Sequence, residues 1–225
     1  MLGTWVNTGA VVAGSAVGLA VGSRLPAGVK TILMQALGLA VLAIGLRMAL
    51  EAEQVLLATG CLLLGGVTGE YLRIEQRLES LAELLRQRLR ATSERFVEGF
   101  VTASLLYLTG AMTIVGSIQD GTIGDPSVLL FKALLDGVAS VALASSLGVG
   151  VLFSALPVLL VQGGITLLAA QLAFLSQPAV LDAINATGGL LILGIGINLL
   201  EIGRIRVGNL LPALFYAIVG ALLFS

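Results

Sequence analysis

The chain has 225 residues, of which 57% are hydrophobic and 11% charged, where soluble domains carry roughly 25% charged residues. With a mean hydropathy of +1.05 there is too little polar surface to coat a water-facing globule, so the composition is that of an integral membrane protein. Twelve Lys and Arg against thirteen Asp and Glu leave no basic excess to draw nucleic acid. The absence of histidine excludes imidazole catalysis and His-ligated metals. The single Cys61 excludes an internal disulfide and a thiolate cluster. No metal and no cofactor is expected.

A bilayer core about 30 Å thick needs roughly 20 apolar residues per helix. About eight such stretches follow one another: Leu2–Gly22, Ile32–Leu50, Gln54–Tyr71, Val97–Ile118, Ser127–Val151, Pro157–Leu175, Leu181–Leu200 and Gly208–Phe224. Their apolar runs lack the alternation of a membrane β-barrel, so the expected class is all-α. The first stretch has no positive charge before it and Arg24 and Lys30 after it. That is the pattern of a retained helix rather than a cleaved signal peptide. It also carries Gly14, Gly18 and Gly22 at every fourth position, a groove for close packing within the monomer or, second, for a homodimer seam.

Between the third and fourth stretches, Arg73–Arg95 is strongly charged. Ile74, Leu78, Leu81, Leu85 and Leu89 share one helical face. Glu75, Glu79 and Glu83 precede Arg86, Arg88 and Arg90, an order that suits the helix dipole. The segment reads as an amphipathic helix on the inner membrane surface, or as a cytosolic dimerisation or regulatory helix.

With the N-terminus outside, ten basic residues fall on the inner side: Arg24, Lys30, Arg73, Arg77, Arg86, Arg88, Arg90, Arg95, Arg204 and Arg206. Only Arg47 and Lys132 fall outside. The positive-inside rule then places both termini outside.

An internal repeat is also legible. A shift of 151 positions superposes Gly38 on Gly189, Leu39 on Leu190, Ile44 on Ile195, Gly45 on Gly196, Leu63 on Leu214 and Gly69 on Gly220. Val6-Asn7-Thr8-Gly9 lies less cleanly on Val161-Gln162-Gly163-Gly164. The organisation expected is a three-helix repeat over 1–72, a charged helix over 73–96, two central helices over 97–156 and a second three-helix repeat over 157–225. Three spans per repeat with two between them invert the second copy, a recurring transporter plan. The plain alternative is that glycine-rich helices resemble one another.

Charge inside a bilayer is expensive and points to function. Asp136, with Lys132 one turn before and Ser140 one turn after, lies deep in the fifth stretch. The alternative is a structural Lys–Asp pair. Asn7 and Gln162 are polar points at matching places in the repeat. Thr109, Thr113 and Ser117, in the glycine-rich run that ends at Asp120, are candidate ligands along an irregular helix. Arg47 and Glu51 read as interfacial anchors; Asn198, with Glu201, sits near an inner helix end. No catalytic residue is expected: Gly124-Asp125 faintly suggests an aspartyl protease, but the following Pro126 spoils the context, and no dyad geometry is evident.

The run Gly110-Ala111-Met112-Thr113-Ile114-Val115-Gly116-Ser117-Ile118-Gln119-Asp120-Gly121 resembles the signature of the bacterial YdfK/YqgA-like membrane proteins, the "domain of unknown function 554" family. Lys132-Ala133-Leu134-Leu135-Asp136-Gly137, Gln162-Gly163 and Gly194-Ile195-Gly196-Ile197-Asn198 fit the same pattern in order. The resemblance covers essentially the whole chain and implies a bacterial inner-membrane protein; it carries no substrate or catalytic residue.

The expectation is a secondary transporter or channel-like carrier of a small solute or ion in the bacterial inner membrane. Its partners would be the lipid bilayer, the solute or ion and a second copy in a homodimer, with no nucleic acid. The alternative is a structural or regulatory membrane protein acting through its charged helix.

Overall fold

In the computed structural model, which describes residues 1–53, 55–88, 91, 93 and 95–224, the chain is 84% helical. No strand occurs among the described residues. The helices are α1 (Leu2–Gly22), α2 (Ala27–Glu51), α3 (Val55–Leu72), α4 (Ile74–Arg88), α5 (Phe96–Leu108), α6 (Ala111–Thr122), α7 (Ser127–Leu147), α8 (Gly150–Phe153), α9 (Ala155–Leu167), α10 (Pro178–Leu199), α11 (Val207–Leu210) and α12 (Pro212–Phe224). Six helical stretches are long and apolar enough to cross a membrane, or seven if the bent α5–α6 pair is one span. The expected positions of Gln54, Leu89 and Arg90 lie outside the described residues. The helices gather into two units. One comprises Met1–Ala36, Glu79–Leu108 and Met112–Ala173; the other comprises Leu37–Leu78, Thr109–Ala111 and Phe174–Ser225.

The first unit is organised around α1 and α7. A Cβ at Gly14, Gly18 or Gly22 would strike the carbonyl oxygen of Gly137, Val141 or Ser145 respectively. Residue numbers rise together on both sides, so the helices run parallel with their backbones in contact. The seam therefore serves packing within the chain. In water each helical glycine costs about 1 kcal/mol relative to alanine; here the missing side chains permit a long backbone-to-backbone contact that no larger residue allows. Helix α9 runs antiparallel to α1, with Gln162 and Thr166 facing Asn7 and Thr4. Helix α5 runs antiparallel to α7, with Gly99 against Leu147 and Tyr107 against Ser140.

Local chemistry sets the helix ends of this unit. The fourth apolar stretch is broken at Thr109-Gly110, where α5 and α6 meet at 63°. The Thr113 hydroxyl donates to the Tyr107 carbonyl at 3.0 Å across that break, satisfying an acceptor that the lost helical turn leaves open. Before α7, Asp125 accepts from the Ser127 hydroxyl at 2.5 Å and its N–H at 3.0 Å. These two bonds hold its carboxyl below the usual carboxylate range. Helix α7 stops at Gly148, whose φ of 82° suits a residue without a Cβ. The sixth stretch runs over Gly150–Leu167, earlier than the expected Pro157–Leu175. Pro157 is tolerated because it falls in the first turn of α9, where an amide hydrogen has no helical partner.

Helix α4 packs Ala82 and Leu85 on Phe96 and Phe100. Leu81, expected on the same apolar face, is 49% exposed. Close approach of the two aromatic rings centres the packed face on the small Ala82 instead.

In the second unit, α2 and α10 are antiparallel. A Cβ on Gly38 would lie 2.7 Å from Leu200, one on Gly45 2.8 Å from Leu193, one on Gly189 2.7 Å from Ala49 and one on Gly196 2.7 Å from Leu42. Helices α3 and α12 are antiparallel too, with Gly69 against the Asn209 backbone and Gly220 against Leu57. One end is latched by Glu70, which binds Arg206 at 2.7 Å and Asn209 at 2.8 Å, and by Glu75, which accepts from the Gly208 N–H at 2.6 Å. At the other end Asp182 accepts from the Glu53 N–H at 3.1 Å. The last stretch is split into α11 and α12 at Leu211, which keeps right-handed helical geometry; the break follows from Pro212, which has no N–H to donate to the preceding turn. Val207–Leu223 falls short of a full span.

The α1–α7 contact generates a stability prediction. Gly18→Leu, which pushes atoms into the Val141 carbonyl, should destabilise by about 1–3 kcal/mol, read as a lower melting temperature in detergent. Gly9→Ala, on the same helix with nothing within 4 Å of its added carbon, should leave the melt unchanged or raise it.

Candidate functional site

The close approach of α1 to α7 and α9 lets short polar side chains meet within the first unit. Lys132, Asp136 and Ser140 recur every fourth residue on α7, and all three are buried. Thr4 and Asn7 lie one turn apart on the buried face of α1. Gln162 and Thr166 do the same on α9. Asp136 Oδ2 receives the Lys132 ammonium and, at 3.0 Å, the Asn7 amide N–H. The second Asn7 amide hydrogen goes to Gln162 Oε1 at 2.9 Å. Gln162 Nε2 donates to Thr4 Oγ1 at 3.4 Å, and the two threonine hydroxyls, Thr4 and Thr166, are 3.2 Å apart.

The bond directions follow from counting hydrogens. Thr166 donates its single hydroxyl hydrogen to the Gln162 carbonyl at 2.9 Å, so Thr4 must be the donor in the Thr4–Thr166 bond. The chain is then polarised from Gln162 through Thr4 and Thr166 back to the Gln162 backbone. Turning the Asn7 amide over would set its oxygen against Asp136 Oδ2 and Gln162 Oε1, so its orientation is determined as well. One turn after Asp136, Ser140 Oγ lies 2.7 Å from the Tyr107 hydroxyl. The Lys132 ammonium sits 5.9 Å from the centre of the Tyr107 ring, within cation–π range.

Among the residues singled out from sequence, Asn7, Lys132, Asp136, Ser140 and Gln162 thus converge. Asp120 is buried but accepts from the Gly3 N–H at 3.0 Å, away from the pair. Thr113 holds the bend. Ser117 is fully buried in α6. Thr109 falls in the second unit, where its carbonyl packs on Gly188. Asn198 donates to the Ile205 carbonyl at 2.8 Å and accepts its N–H at 2.7 Å, closing the loop after α10. Tyr107, Thr4 and Thr166 were not anticipated. The i,i+3 spacing of Thr4 and Asn7 and the i,i+4 spacing of Gln162 and Thr166 were available signals, whereas Tyr107 is one polar tip in an apolar run.

Several buried oxygens have no hydrogen-bond partner within the described protein, among them Asn7 Oδ1, Ser15 Oγ, Thr109 Oγ1, Ser117 Oγ and Thr187 Oγ1. Each such group costs about 1–3 kcal/mol. No group of three or more His, Cys, Asp or Glu side chains with metal-ligand placement occurs among the described residues. The arrangement is an ion pair of zero net formal charge set in amides and hydroxyls.

Breaking the pair should be worse than deleting it. Lys132→Met strands a buried carboxylate and should destabilise by about 3–5 kcal/mol, while Lys132→Met combined with Asp136→Leu should recover most of that loss. Thermal melts of the single and double variants in one detergent test this. Equal melting temperatures for the two would deny the coupling.

Over residues 2–222 the chain matches the family described as "Protein of unknown function (DUF554)". It is 30% identical over 222 residues to the "Uncharacterized protein YqgA" of Escherichia coli (strain K12), covering 96% of this chain and 94% of that one. It is 32% identical over 218 residues to the "Uncharacterized membrane protein YdfK" of Bacillus subtilis (strain 168), covering 95% and 93%. No solved structure matches the chain. With the family pattern running from the first helix to the last and the apolar helices that such a membrane protein requires, the chain belongs to the DUF554 family.

Proposed function

We propose that this protein is a carrier of a small solute or ion in the bacterial inner membrane, with Asp136 and Lys132 as its coupling pair. The observation that carries the reading is the Asn7–Gln162 hydrogen bond at Asp136. These two residues are each other's counterparts in the sequence repeat. Counterparts that touch lie on the axis relating the two copies, and repeat interfaces are where carriers of this plan bind their cargo.

The second unit supports the repeat independently. The shift of 151 positions carries the Gly38–Leu200 contact onto Gly189–Ala49 and the Gly45–Leu193 contact onto Gly196–Leu42, all four of which occur. It carries Gly69–Asn209 to within one residue of Gly220–Leu57. Reciprocal contacts between antiparallel counterparts are what a two-fold axis in the membrane plane requires. The relative helix directions also agree with eight alternating traversals in a 3+2+3 order: α1 with α7 parallel, and α1 with α9, α5 with α7, α2 with α10 and α3 with α12 antiparallel. The excess of basic residues near the Arg73–Arg95 side then orients both termini outward.

In this reading, protonating Asp136 or placing a cation on it releases Lys132, and the change in buried charge favours one access state over the other. The unpartnered Asn7 and Ser117 oxygens of the first unit are neutral ligands for the cargo. The regulatory alternative has less support, because Ala82 and Leu85 of α4 are already packed against Phe96 and Phe100 of the same chain.

Proteoliposomes loaded with proton, sodium, potassium or metabolite gradients test the proposal. Flux is expected in the wild type; Asp136→Asn should lower the melting temperature by leaving Lys132 unpaired, and the protein that folds should lose gradient-driven flux. Folded wild-type protein without flux under every gradient, or a folded Asp136→Asn protein with normal driven flux, overturns it. Orientation is checked in intact cells on a Cys61→Ala background: Ile123→Cys should react with an external thiol reagent and Gln87→Cys should not.

A further inference from the structure

The first unit contains a recess of about 730 Å³ where α1 and α7 end. Among the described residues its polar wall holds Lys30 and Arg95 with Ser23, Ser93, Ser145 and Ser146, and none of the described lining residues is a carboxylate. Arg95 is clasped by Glu98 through two 2.8 Å bonds, which hold the guanidinium at the rim; Lys30 is the second cation. Ser146 Oγ is buried without a hydrogen-bond partner in the protein, a donor whose isolation costs about 1–3 kcal/mol.

Backbone dipoles do not reverse this preference. Two helices end at the recess, α1 and α7, and two begin beside it, α2 and α5. At about half a charge per helix end their contributions cancel, and the side chains decide the sign. Phe153 and Leu19 add apolar surface to its lining. On α1 the exposed Val17 and Val21 continue that apolar surface along the helix. The second unit has a recess of similar size, but Glu70 lines it and already binds Arg206.

From this geometry we infer that the recess of the first unit binds a phosphate oxyanion, with Lys30 as the main charge partner and the unpartnered Ser146 hydroxyl as donor. The Ser23 and Ser145 hydroxyls are committed to the Ala20 and Ala142 carbonyls. The volume lies within the range of sites for whole organic ligands and far exceeds one inorganic phosphate. The apolar part of the lining fits an acyl chain. The headgroup of an anionic phospholipid combines both features, and basic clefts between membrane helices are general sites for such headgroups. The bound lipid would join the segment carrying Arg95 to α7, the helix that also carries Asp136.

The test is lipid retention by the full chain in neutral detergent, followed by native mass spectrometry while phosphatidylglycerol, phosphatidylcholine or inorganic phosphate is titrated. Phosphatidylglycerol should bind in preference to phosphatidylcholine. At about 1 kcal/mol for one basic residue, Lys30→Gln should weaken binding about fivefold, Lys30→Arg should restore it, and Ser146→Leu should weaken it by filling the recess. Arg24→Gln, which removes a charge from the exposed α1–α2 turn outside the recess, should have no effect. If inorganic phosphate leaves the lipid in place, the ligand is the phospholipid; if it displaces the lipid at low millimolar concentration, the ligand is the free anion, and the oxyanion site stands in both cases. Equal binding of the two lipids with no Lys30-dependent phosphate binding overturns the proposal, as does an equal loss in Arg24→Gln and Lys30→Gln. No flux is measured, so the outcome is independent of the transport reading.

Discussion

The distance between α1 and α7 governs the polar chemistry of the first unit. Asn7 is a short side chain, and it reaches both Asp136 and Gln162 only because the helices that carry them are packed to backbone contact. A Cβ at Gly14, Gly18 or Gly22 would meet a carbonyl oxygen of α7, and the separation forced by a side chain would exceed what a hydrogen bond tolerates. In lipid there is little hydrophobic drive for one helix to leave its tails for another, so close packing must supply the association. The glycines thus do two things at once: they join the helices, and they bring donors to a carboxylate that would otherwise be prohibitively costly to bury.

That carboxylate illustrates how a membrane protein tolerates charge. Neither Lys132 nor Asp136 is stable alone in an apolar surround, and their mutual attraction offsets desolvation only when the remaining polar atoms nearby are also engaged. Asn7 meets that need at Asp136 Oδ2, and the Tyr107 ring lies beside the ammonium. The orientation of each amide is then dictated by hydrogen count, which gives the cluster one arrangement rather than several. Such a network is rigid until a charge changes, and a change in one group unsettles its neighbours.

Much of this was legible before any coordinates. The helical class follows from composition, the deep Lys132–Asp136 pair from i,i+4 spacing, and the irregular fourth stretch from the small and hydroxyl residues around Gly110. The glycines paired in the alignment, Gly38 with Gly189 and Gly45 with Gly196, lie where α2 and α10 pack together. Other features were not legible, for physical reasons. Leu81 has the right spacing for a packed face, but the face is set by where Phe96 and Phe100 lie, a tertiary fact. Asn198 looks like a ligand because it is polar near a helix end, and only the loop geometry reveals that the Ile205 backbone uses both its amide groups. Tyr107 is apolar for most of its surface, so periodicity counts it as core; its hydroxyl matters only because Ser140 is opposite.

The amide bridge between Asn7 and Gln162 has a consequence for conduction. Hydroxyl groups and water pass protons along by exchanging donor and acceptor roles. A primary amide offers an oxygen that accepts and a nitrogen that donates, and the two do not interchange at ordinary pH. Two amides in series therefore separate Asp136 from the Thr4 and Thr166 hydroxyls, acting as an insulator on that side. In the carrier reading, a proton bound for Asp136 arrives by a route that avoids these two amides. What passes through the α1–α9 contact is orientation: a reversal of one amide obliges the next to reverse, so the bridge reports the state of the carboxylate to α9 without carrying current.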